Sequence, residues 1–410
     1  MPGRSMPFLN KKLEPSLQKQ GYHEHIEQYR GLCALLVLIN HATVHEAVFS
    51  NNFQWPDYVH YFGSGLLSVL MFFCISGYVI SISNDYPDLD TKKYWKRRLV
   101  RLYPMYIFAL VLCVIFAGFK NPFDIIGNFF FLQNSNPYWQ FSMPVFVNFS
   151  SWSLNYEILY YILFIPLFFI RPRVWQLLIG MLALSIVLMH SDNKLTFLAC
   201  YLNGYYFWVL GALMGWKIIE GESSKELAIP LLSLLFLHLC MHHLGIGVMI
   251  LHLVSLDSNS GFNWIFDLPF CLMVMSILTQ KENVFLRINK IICYTIPGLI
   301  FAYLALHHRI FEDMRWKMCL LYWILSLLFY NERKFSLLIL DKLTFIGKIS
   351  YGLYLFHVPV ALLVKKYVFI SYQPAEIITK YSLWLIFTFG IAIVFERVIQ
   401  PKIKQVFVRN

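Results

Sequence analysis

The sequence predicts an all-α membrane protein, a polytopic helix bundle of about 10–12 transmembrane helices around a central polar cavity. Hydrophobic residues make up 58% of the 410 residues, and charged residues only 14%. A soluble domain of this length does not bury so much apolar surface. The apolar runs are about 17–25 residues long, as membrane helices require, and they lack the alternation of transmembrane β-strands.

Basic residues are concentrated in short segments between alternate apolar runs. Segment 50–63 contains no Lys or Arg, whereas segment 85–102 contains six, including Arg98 and Arg101. This asymmetry follows the positive-inside rule and places 85–102 in the cytoplasm. It also explains the formal net charge of +11 without a nucleic-acid partner. We therefore expect a multi-pass protein of the plasma membrane, in contact with membrane lipids, with both termini cytoplasmic.

Twelve apolar segments can be drawn in one transmembrane domain, 29–400, between a cytoplasmic N-terminal tail, 1–28, and a cytoplasmic C-terminal tail, 401–410. All eight cysteines fall inside these segments, where we interpret them as small helix residues. The histidines of the seventh segment lack a set of nearby carboxylates or thiolates, so no metal site is predicted. The segments are 30–49, 64–84, 103–119, 152–170, 174–190, 196–216, 227–255, 262–280, 292–309, 316–330, 347–368 and 379–399.

Arg30 lies at the start of the first segment, and His41, a second ionisable side chain, follows eleven positions later. Eleven residues are almost three helical turns, so both side chains face the same way, about 16 Å apart along the axis. The imidazole then lies near the middle of the bilayer, where an ionisable residue indicates function. The alternative of a histidine satisfied by a neighbouring helix stays open on this pattern alone.

The next two segments carry a small polar residue and two arginines. Ser76 and Gly77 lie about 18 Å into the second segment, where they either allow close helix packing or line a cavity. Arg98 and Arg101 are three residues apart, just before Pro104, which is expected to open the third segment. The two arginines either anchor the helix at the cytoplasmic surface or bind phosphate groups, and the sequence leaves both roles open.

Later segments place further polar residues at the same depth in the membrane as the imidazole of His41. Glu157 is close enough in depth to bond one imidazole nitrogen and make the other a better base, or it pairs with an arginine or backbone groups. His357 lies about ten residues into the eleventh segment, on the helix that also carries Tyr351. Glu396 and Arg397, in the last segment, are expected to form an ion pair, either with each other or between helices.

Six short motifs follow one another along almost the whole chain. They are YRGLCALLVLINH (29–41), FFCISGYVI (72–80), RRLVRLYP (97–104), WSLNYE (152–157), FWVLGALMG (207–215) and IGKISYGLYLFHVPV (346–360). The first motif contains the spacing of Arg30 and His41, ten residues between an arginine and a histidine. In this order the motifs resemble those of the acyltransferase 3 family of membrane proteins, which O-acetylate polysaccharides.

The resemblance implies transfer of an acetyl group from cytoplasmic acetyl-CoA to a hydroxyl of a cell-surface polysaccharide or lipid-linked sugar. Acetyl-CoA is then a co-substrate rather than a bound cofactor, residues 29–400 are the acyltransferase domain, and the membrane is a bacterial inner membrane. The residues assigned on this basis are His41 and Glu157 for catalysis, Arg30, Arg98 and Arg101 for CoA binding, and Ser76, Trp152, Tyr351 and His357 for the substrate cavity.

Three alternatives remain open from the sequence. The acceptor hydroxyl attacks the thioester directly, or His41 first forms a covalent acetyl intermediate. The competing function is a transporter or flippase of polysaccharide without acyl-transfer chemistry. Observed transfer of labelled acetyl groups would exclude this function. The chain is compatible with a monomer and with a homodimer.

Overall fold

The protein is an all-α helix bundle, as predicted, in the residues that the computed structural model describes. Two pairs of two-residue strands accompany the helices: Gln133–Asn134 with Met143–Pro144, and Glu222–Ser223 with Lys281–Glu282. The described residues are 24–44, 55–84, 88–118, 122–134, 143–144, 149–190, 193–216, 222–223, 229–256, 260–279, 281–282, 284–332, 334–368 and 374–408.

Three 3₁₀ turns lie between helices in the described part of the chain: Asp57–Phe62, Phe149–Ser151 and Phe262–Asp267. A π-helical turn, Val394–Ile399, joins the last two helices. The helices are α1 (Glu24–Val44), α2 (Leu66–Ile82), α3 (Thr91–Ala117), α4 (Pro122–Phe129), α5 (Trp152–Ile170), α6 (Val174–Met189), α7 (Asn193–Gly215), α8 (Leu231–Leu244), α9 (Ile246–Leu253), α10 (Leu268–Leu278), α11 (Val284–Leu306), α12 (Met314–Leu328), α13 (Lys334–Lys348), α14 (Ser350–Tyr367), α15 (Pro374–Ile393) and α16 (Gln400–Val408).

Among the described residues, six stretches are long and apolar enough to cross a membrane, or seven if the bent pair α13 and α14 counts as one span. This is fewer than the 10–12 expected, because several apolar segments form shorter helices: α6 has 16 residues and α10 has 11. The chain is a multi-pass membrane protein. The six stretches are Asp57–Ile82, Thr91–Ala117, Trp152–Ile170, Leu231–Leu253, Val284–Leu306 and Ile377–Phe407.

Two sequence-predicted features agree closely with the structure. The fourth segment, 152–170, coincides with α5. The long segment 227–255 contains Gly245 and Gly247, at which a kink or a division into two pieces is expected. The structure divides it into α8 and α9 at Gly245. Gly245 has a φ of 59°, the left-handed conformation that commonly ends a helix and that glycine adopts without strain.

Other boundaries were wrong. Most of segment 85–102 is helical, because Asp90 caps α3 by accepting a hydrogen bond of 2.9 Å from the backbone N–H of Lys93. Pro104 therefore lies inside α3 rather than at its start. Residues 400–408 form α16, and α1 begins at Glu24; the cytoplasmic tails 1–28 and 401–410 stay predictions, and residues 1–23 lie outside the described part.

Helices α2 and α7 pack backbone against backbone through glycines. A Cβ atom on Gly77 would collide with the carbonyl oxygen of Trp208, and a Cβ atom on Gly211 with that of Cys74. Such a close approach requires glycine, as in small-residue interfaces of membrane helices. Close packing is therefore the role of Gly77, which leaves the neighbouring Ser76 to face away from the α7 backbone.

Helix α1 is held in a similar way by α13. A Cβ atom on Gly31 would meet the backbone of Leu343, and a Cβ atom on Gly347 would meet that of Glu27. Directly after α13 the chain bends by 68° into α14. This bend brings α14 beside both α1 and α3, and the five helices α1, α2, α3, α5 and α14 surround one cavity.

Candidate active site

A cavity of about 550 Å³ lies between these helices and the π-helical turn. Along α2 it extends from Val69 to Ile80, about 16 Å of helical rise. Phe72, Ser153 and Tyr354 line one end of the cavity, and charged residues line the other. The predicted central polar cavity is therefore present.

The charged part of the lining, which we call the basic end, combines residues from distant parts of the chain. α1, α3, α13, the π-helical turn and α16 all contribute to it. Seven cationic side chains outnumber three carboxylates in the lining, so the cavity attracts anions. The cationic residues are Arg30, Arg97, Arg98, Arg101, Lys348, Arg397 and Lys404, and the carboxylates are Glu27, Glu157 and Glu396.

Arg98 lies in the basic end between two tyrosines. Its guanidinium carbon is 5.8 Å from the ring centroid of Tyr94 and 5.9 Å from that of Tyr161, which is within cation–π range. The Nε of Arg98 is buried and has no hydrogen-bond partner in the described part of the chain. Arg98 is thus held by its aromatic neighbours, and Nε remains available as a donor to a ligand.

Arg101 is engaged differently, although it lies on the same face of α3. Its Nη1 donates a hydrogen bond of 2.9 Å to Oε2 of Glu396, in the π-helical turn. Its guanidinium carbon is 5.6 Å from the ring centroid of Tyr351, whose hydroxyl donates to the carbonyl of Leu102. Of the two ion pairs expected for Glu396, the structure shows the interhelical one.

Arg30 reaches the basic end from α1. Its Nη1 is 3.7 Å from Oε1 of Glu27, one turn earlier on the same helix. α1 also contains His41, so a single helix connects the basic end with the imidazole, as the spacing of the two residues predicted.

Glu157 lines the cavity but does not bond to His41. Its Oε1 accepts a hydrogen bond of 3.0 Å from Ser76 Oγ and a second from the hydroxyl of Tyr161. The expected pairing of Glu157 with His41 is therefore not seen, because α5 turns this carboxylate towards α2. A shared depth in the bilayer does not fix the direction in which a side chain points.

His41 is paired instead with His357 of α14. His41 Nδ1 and His357 Nε2 are 2.7 Å apart, and the two rings are nearly parallel, with centroids 4.9 Å apart. His357 Nδ1 is also 3.1 Å from the carbonyl oxygen of Leu353. His357 is 2% exposed, whereas His41 is half-buried.

These contacts assign the tautomers of the histidine pair when both rings are neutral. The carbonyl of Leu353 can only accept, so His357 carries its proton on Nδ1 and its Nε2 is an acceptor. His41 must then donate from Nδ1 to His357. The remaining nitrogen of His41, Nε2, is unprotonated and has the lone pair of a general base.

Helix α15 fixes the backbone around both histidines. Trp384 Nε1 donates a hydrogen bond of 2.7 Å to the carbonyl of His357. The hydroxyl of Tyr381 donates to the carbonyl of Ala42, next to His41, and accepts from Trp55 Nε1. Neither α15 residue was identified from the sequence, because an indole or phenol on an apolar helix has no distinctive pattern.

Tyr354 lies in the cavity wall about one helical turn before His357. Tyr354 lines the cavity, whereas His41 and His357 are not among the lining residues. Its ring centroid is 6.2 Å from that of His357, and its hydroxyl bonds to Ser153 at 2.7 Å and to the carbonyl of Ser150. Trp152 also lies outside the cavity lining and packs against Tyr156, with ring centroids 5.2 Å apart.

The structure thus brings together most of the residues assigned from the sequence. Arg30, Arg98, Arg101, Ser76, Glu157 and Tyr351 line the cavity, and His41 pairs with His357 beside it. Arg97 was missed although it is four residues before Arg101, the spacing of neighbours on one helix face. The other charged residues and tyrosines of the lining that we did not assign are Glu27, Tyr161, Lys348, Tyr354, Glu396, Arg397 and Lys404.

Comparison with known proteins identifies the family. The chain matches the family described as an acyltransferase domain over residues 24–292 and 271–397, which together include all six motifs and nearly all of the cavity lining. No curated protein and no solved structure matches the chain. The match covers most of the sequence, and on this evidence the protein is a member of the acyltransferase 3 family, a membrane acyltransferase.

Proposed function

We propose that the protein transfers an acetyl group from cytoplasmic acetyl-CoA to a hydroxyl of a cell-surface polysaccharide or lipid-linked sugar. The observation that carries this proposal is the cavity, whose basic end leads along α2 towards the histidine pair. Guanidinium groups suit the phosphates of CoA. The pantetheine arm then extends along the cavity and presents the thioester near Tyr354.

In the proposed reaction, His41 is the general base. Its Nε2 removes the proton of the acceptor hydroxyl, and the oxygen attacks the thioester carbonyl. The new C–O bond forms while the C–S bond breaks, and the thiolate of CoA takes the proton back from the imidazolium. His357 accepts the Nδ1–H of His41 throughout and so stabilises the imidazolium. Glu157, with Ser76 and Tyr161, positions the arm of the donor from the cavity wall.

The arrangement also suggests the sides from which the substrates arrive. The basic end faces the cytoplasm in this proposal, where acetyl-CoA is available, and the acceptor approaches His41 from the opposite side of a bacterial inner membrane. His41 is half-buried and near the end of α1 that lies farther from Arg30. The two substrates therefore meet at the histidine pair without CoA crossing the membrane.

Transfer of radiolabelled acetyl groups from acetyl-CoA, measured in membranes that contain the protein and its glycan, tests this function. We expect His41→Ala to retain folded protein and CoA binding but to lose transfer, since a general base contributes about 10²–10⁴-fold. Wild-type turnover in well-expressed His41→Ala would exclude the mechanism. Movement of glycan without any labelled product would exclude the reaction in favour of a flippase.

A further inference from the structure

The π-helical turn places an incompletely paired carboxylate in the basic end of the cavity. The Glu396 side chain is 2% exposed, and its Oε2 accepts the hydrogen bond from Arg101. Its Oε1 is also buried and has no hydrogen-bond partner among the residues that the structure describes. A buried carboxylate oxygen without a donor destabilises the empty site, so a ligand that supplies a donor is favoured.

The carboxylate is held firmly in this position by its neighbour in sequence. The ring of Phe395 packs between Phe108 and Phe356, with centroid distances of 4.6 and 4.9 Å. Phe395 lines a separate apolar groove, whereas Glu396 lines the cavity. π-Helical turns inside longer helices occur frequently at functional sites, where they redirect one or two side chains.

A negative charge is unexpected at a site for an anionic ligand. On electrostatic grounds alone Glu396 weakens phosphate binding, and it occupies one of the N–H groups of Arg101. Arg101 still has other N–H groups for a phosphate, because a guanidinium carries five donors. The pair therefore presents donors for an anion and, a few ångströms away, an acceptor for a neutral donor group.

We propose that Glu396 and Arg101 together recognise a hydroxyl that lies beside a phosphate of the acyl donor. This inference rests on the proposed use of acyl-CoA. Oε1 of Glu396 accepts from the hydroxyl, while the remaining N–H groups of Arg101 bind the adjacent phosphate. CoA offers this combination at two places: the ribose 2′-hydroxyl beside the 3′-phosphate, and the pantoyl hydroxyl near the diphosphate.

The variant Glu396→Gln tests the proposal, because the proposal and the alternative predict opposite changes in the affinity for CoA. Because Arg101 can only donate, the amide oxygen of the glutamine faces Arg101, and the NH₂ group takes the place of Oε1. The ligand hydroxyl then faces a donor and can only accept a neutral hydrogen bond in place of the one to a charged group, so we expect affinity for CoA to fall about tenfold. If Glu396 merely anchors Arg101, loss of a negative charge leaves CoA binding equal or tighter, which would overturn the proposal.

Calorimetric titration of the purified full-length protein with CoA and with 4′-phosphopantetheine separates the two hydroxyls. Weaker binding of both ligands to Glu396→Gln assigns the pantoyl hydroxyl, and weaker binding of CoA alone assigns the ribose. If the Gln variant fails to fold, Glu396→Asp replaces it in the test. This variant keeps the charge but shortens the side chain, so it should also weaken CoA binding. Glu312→Gln, on an exposed loop, is the control. Wild-type protein that does not bind CoA would contradict the proposed function as well.

Discussion

At the residue scale, the histidine pair differs from a histidine oriented by a carboxylate. A carboxylate brings a negative charge that attracts the imidazolium, whereas His357 is a neutral ring whose own orientation depends on the carbonyl of Leu353. The second imidazole can share the proton across the 2.7 Å contact, so the positive charge is spread over two rings. We expect this contact to contribute to turnover and not to donor binding.

Substitution of His357 tests that expectation. His357→Leu should lower kcat at least tenfold, because loss of one hydrogen bond to a charged group costs about 1.5–3 kcal/mol, with little change in the affinity for CoA. His357→Gln should recover part of the rate, because its amide oxygen can accept from His41. Transfer assays at saturating donor measure this, with the exposed His307→Ala as a control that should not affect transfer. A change in KM alone would contradict the assigned role.

The two α3 arginines should differ when they are replaced. Arg98→Ala should weaken binding of acetyl-CoA by about tenfold, and Arg98→Lys by less, because lysine retains the charge but not the planar donor group. Arg101→Ala should also lower stability, since it leaves the buried Glu396 without its partner. Binding titrations and thermal unfolding separate these effects. Lys93→Ala, exposed on the same helix, should change neither, and unaltered binding in both arginine variants would assign them to helix anchoring alone.

At the scale of elements, the sequence was informative wherever a helix boundary has a local chemical cause. α5 and the break at Gly245 were predicted because polar residues, prolines and glycines mark them. α3 was misjudged because its first turns are basic, which resembles a cytoplasmic loop although no glycine or proline interrupts 91–103. Charge sets the side of the membrane, and it does not by itself end a helix.

For the candidate site, the sequence predicts the depth of a side chain in the membrane but not the residue that it contacts. Depth along a helix follows from residue counting, and the residues chosen in this way lie in one cavity, for Arg30 and Ser76, or beside it, for His41 and His357. The partner of His41 depends on how α5 and α14 are rotated about their axes. That rotation follows from packing between residues distant in the sequence, such as Ser76 with Glu157 and His41 with His357, and no local pattern encodes it.

The glycine contacts between α2 and α7 give a prediction about stability. Gly77→Ala should destabilise the protein by about 1–3 kcal/mol, because the added Cβ meets a backbone carbonyl that cannot rotate away. It should also reduce transfer by shifting the adjacent Ser76. Gly180→Ala in α6 is the matched control, since a Cβ there meets no atom within 4 Å. Thermal unfolding in detergent that showed equal stability for both variants would contradict the close packing.

At the scale of the whole molecule, basic residues from α1, α3, α13 and α16 converge on one end of the bundle. This convergence is what the positive-inside rule requires of residues that share one side of the membrane. Arg315 is an exception, because a cytoplasmic N-terminus followed by the alternating predicted segments puts residues 309–317, which include it, outside. It donates hydrogen bonds of 2.6 and 2.7 Å to the carbonyls of His243 and Leu244, at the end of α8, which gives its charge a structural role.

Labelling of introduced cysteines in intact cells tests the orientation. A cysteine at Asp57 should react with a membrane-impermeant maleimide, and a cysteine at Lys93 should react only after the cells are opened, because only the segment around Lys93 is basic. Both positions are exposed, and all eight native cysteines are buried, so the background should be low. Labelling of position 93 but not 57 in intact cells would reverse the orientation.

The short helix α6 has a consequence for the surrounding lipid. Its 16 residues rise about 24 Å, whereas the hydrocarbon core of a bilayer is about 30 Å thick. Trp175, Ile179 and Val187 are each more than half exposed along it, so we expect lipid chains to cover this face. A crossing by α6 would require the adjacent bilayer to thin or polar residues at the helix ends to enter it, at a cost of a fraction of a kcal/mol per ångström. The protein should therefore partition into thinner regions of its membrane, and lipid chain length becomes a variable that sets where acyl transfer takes place.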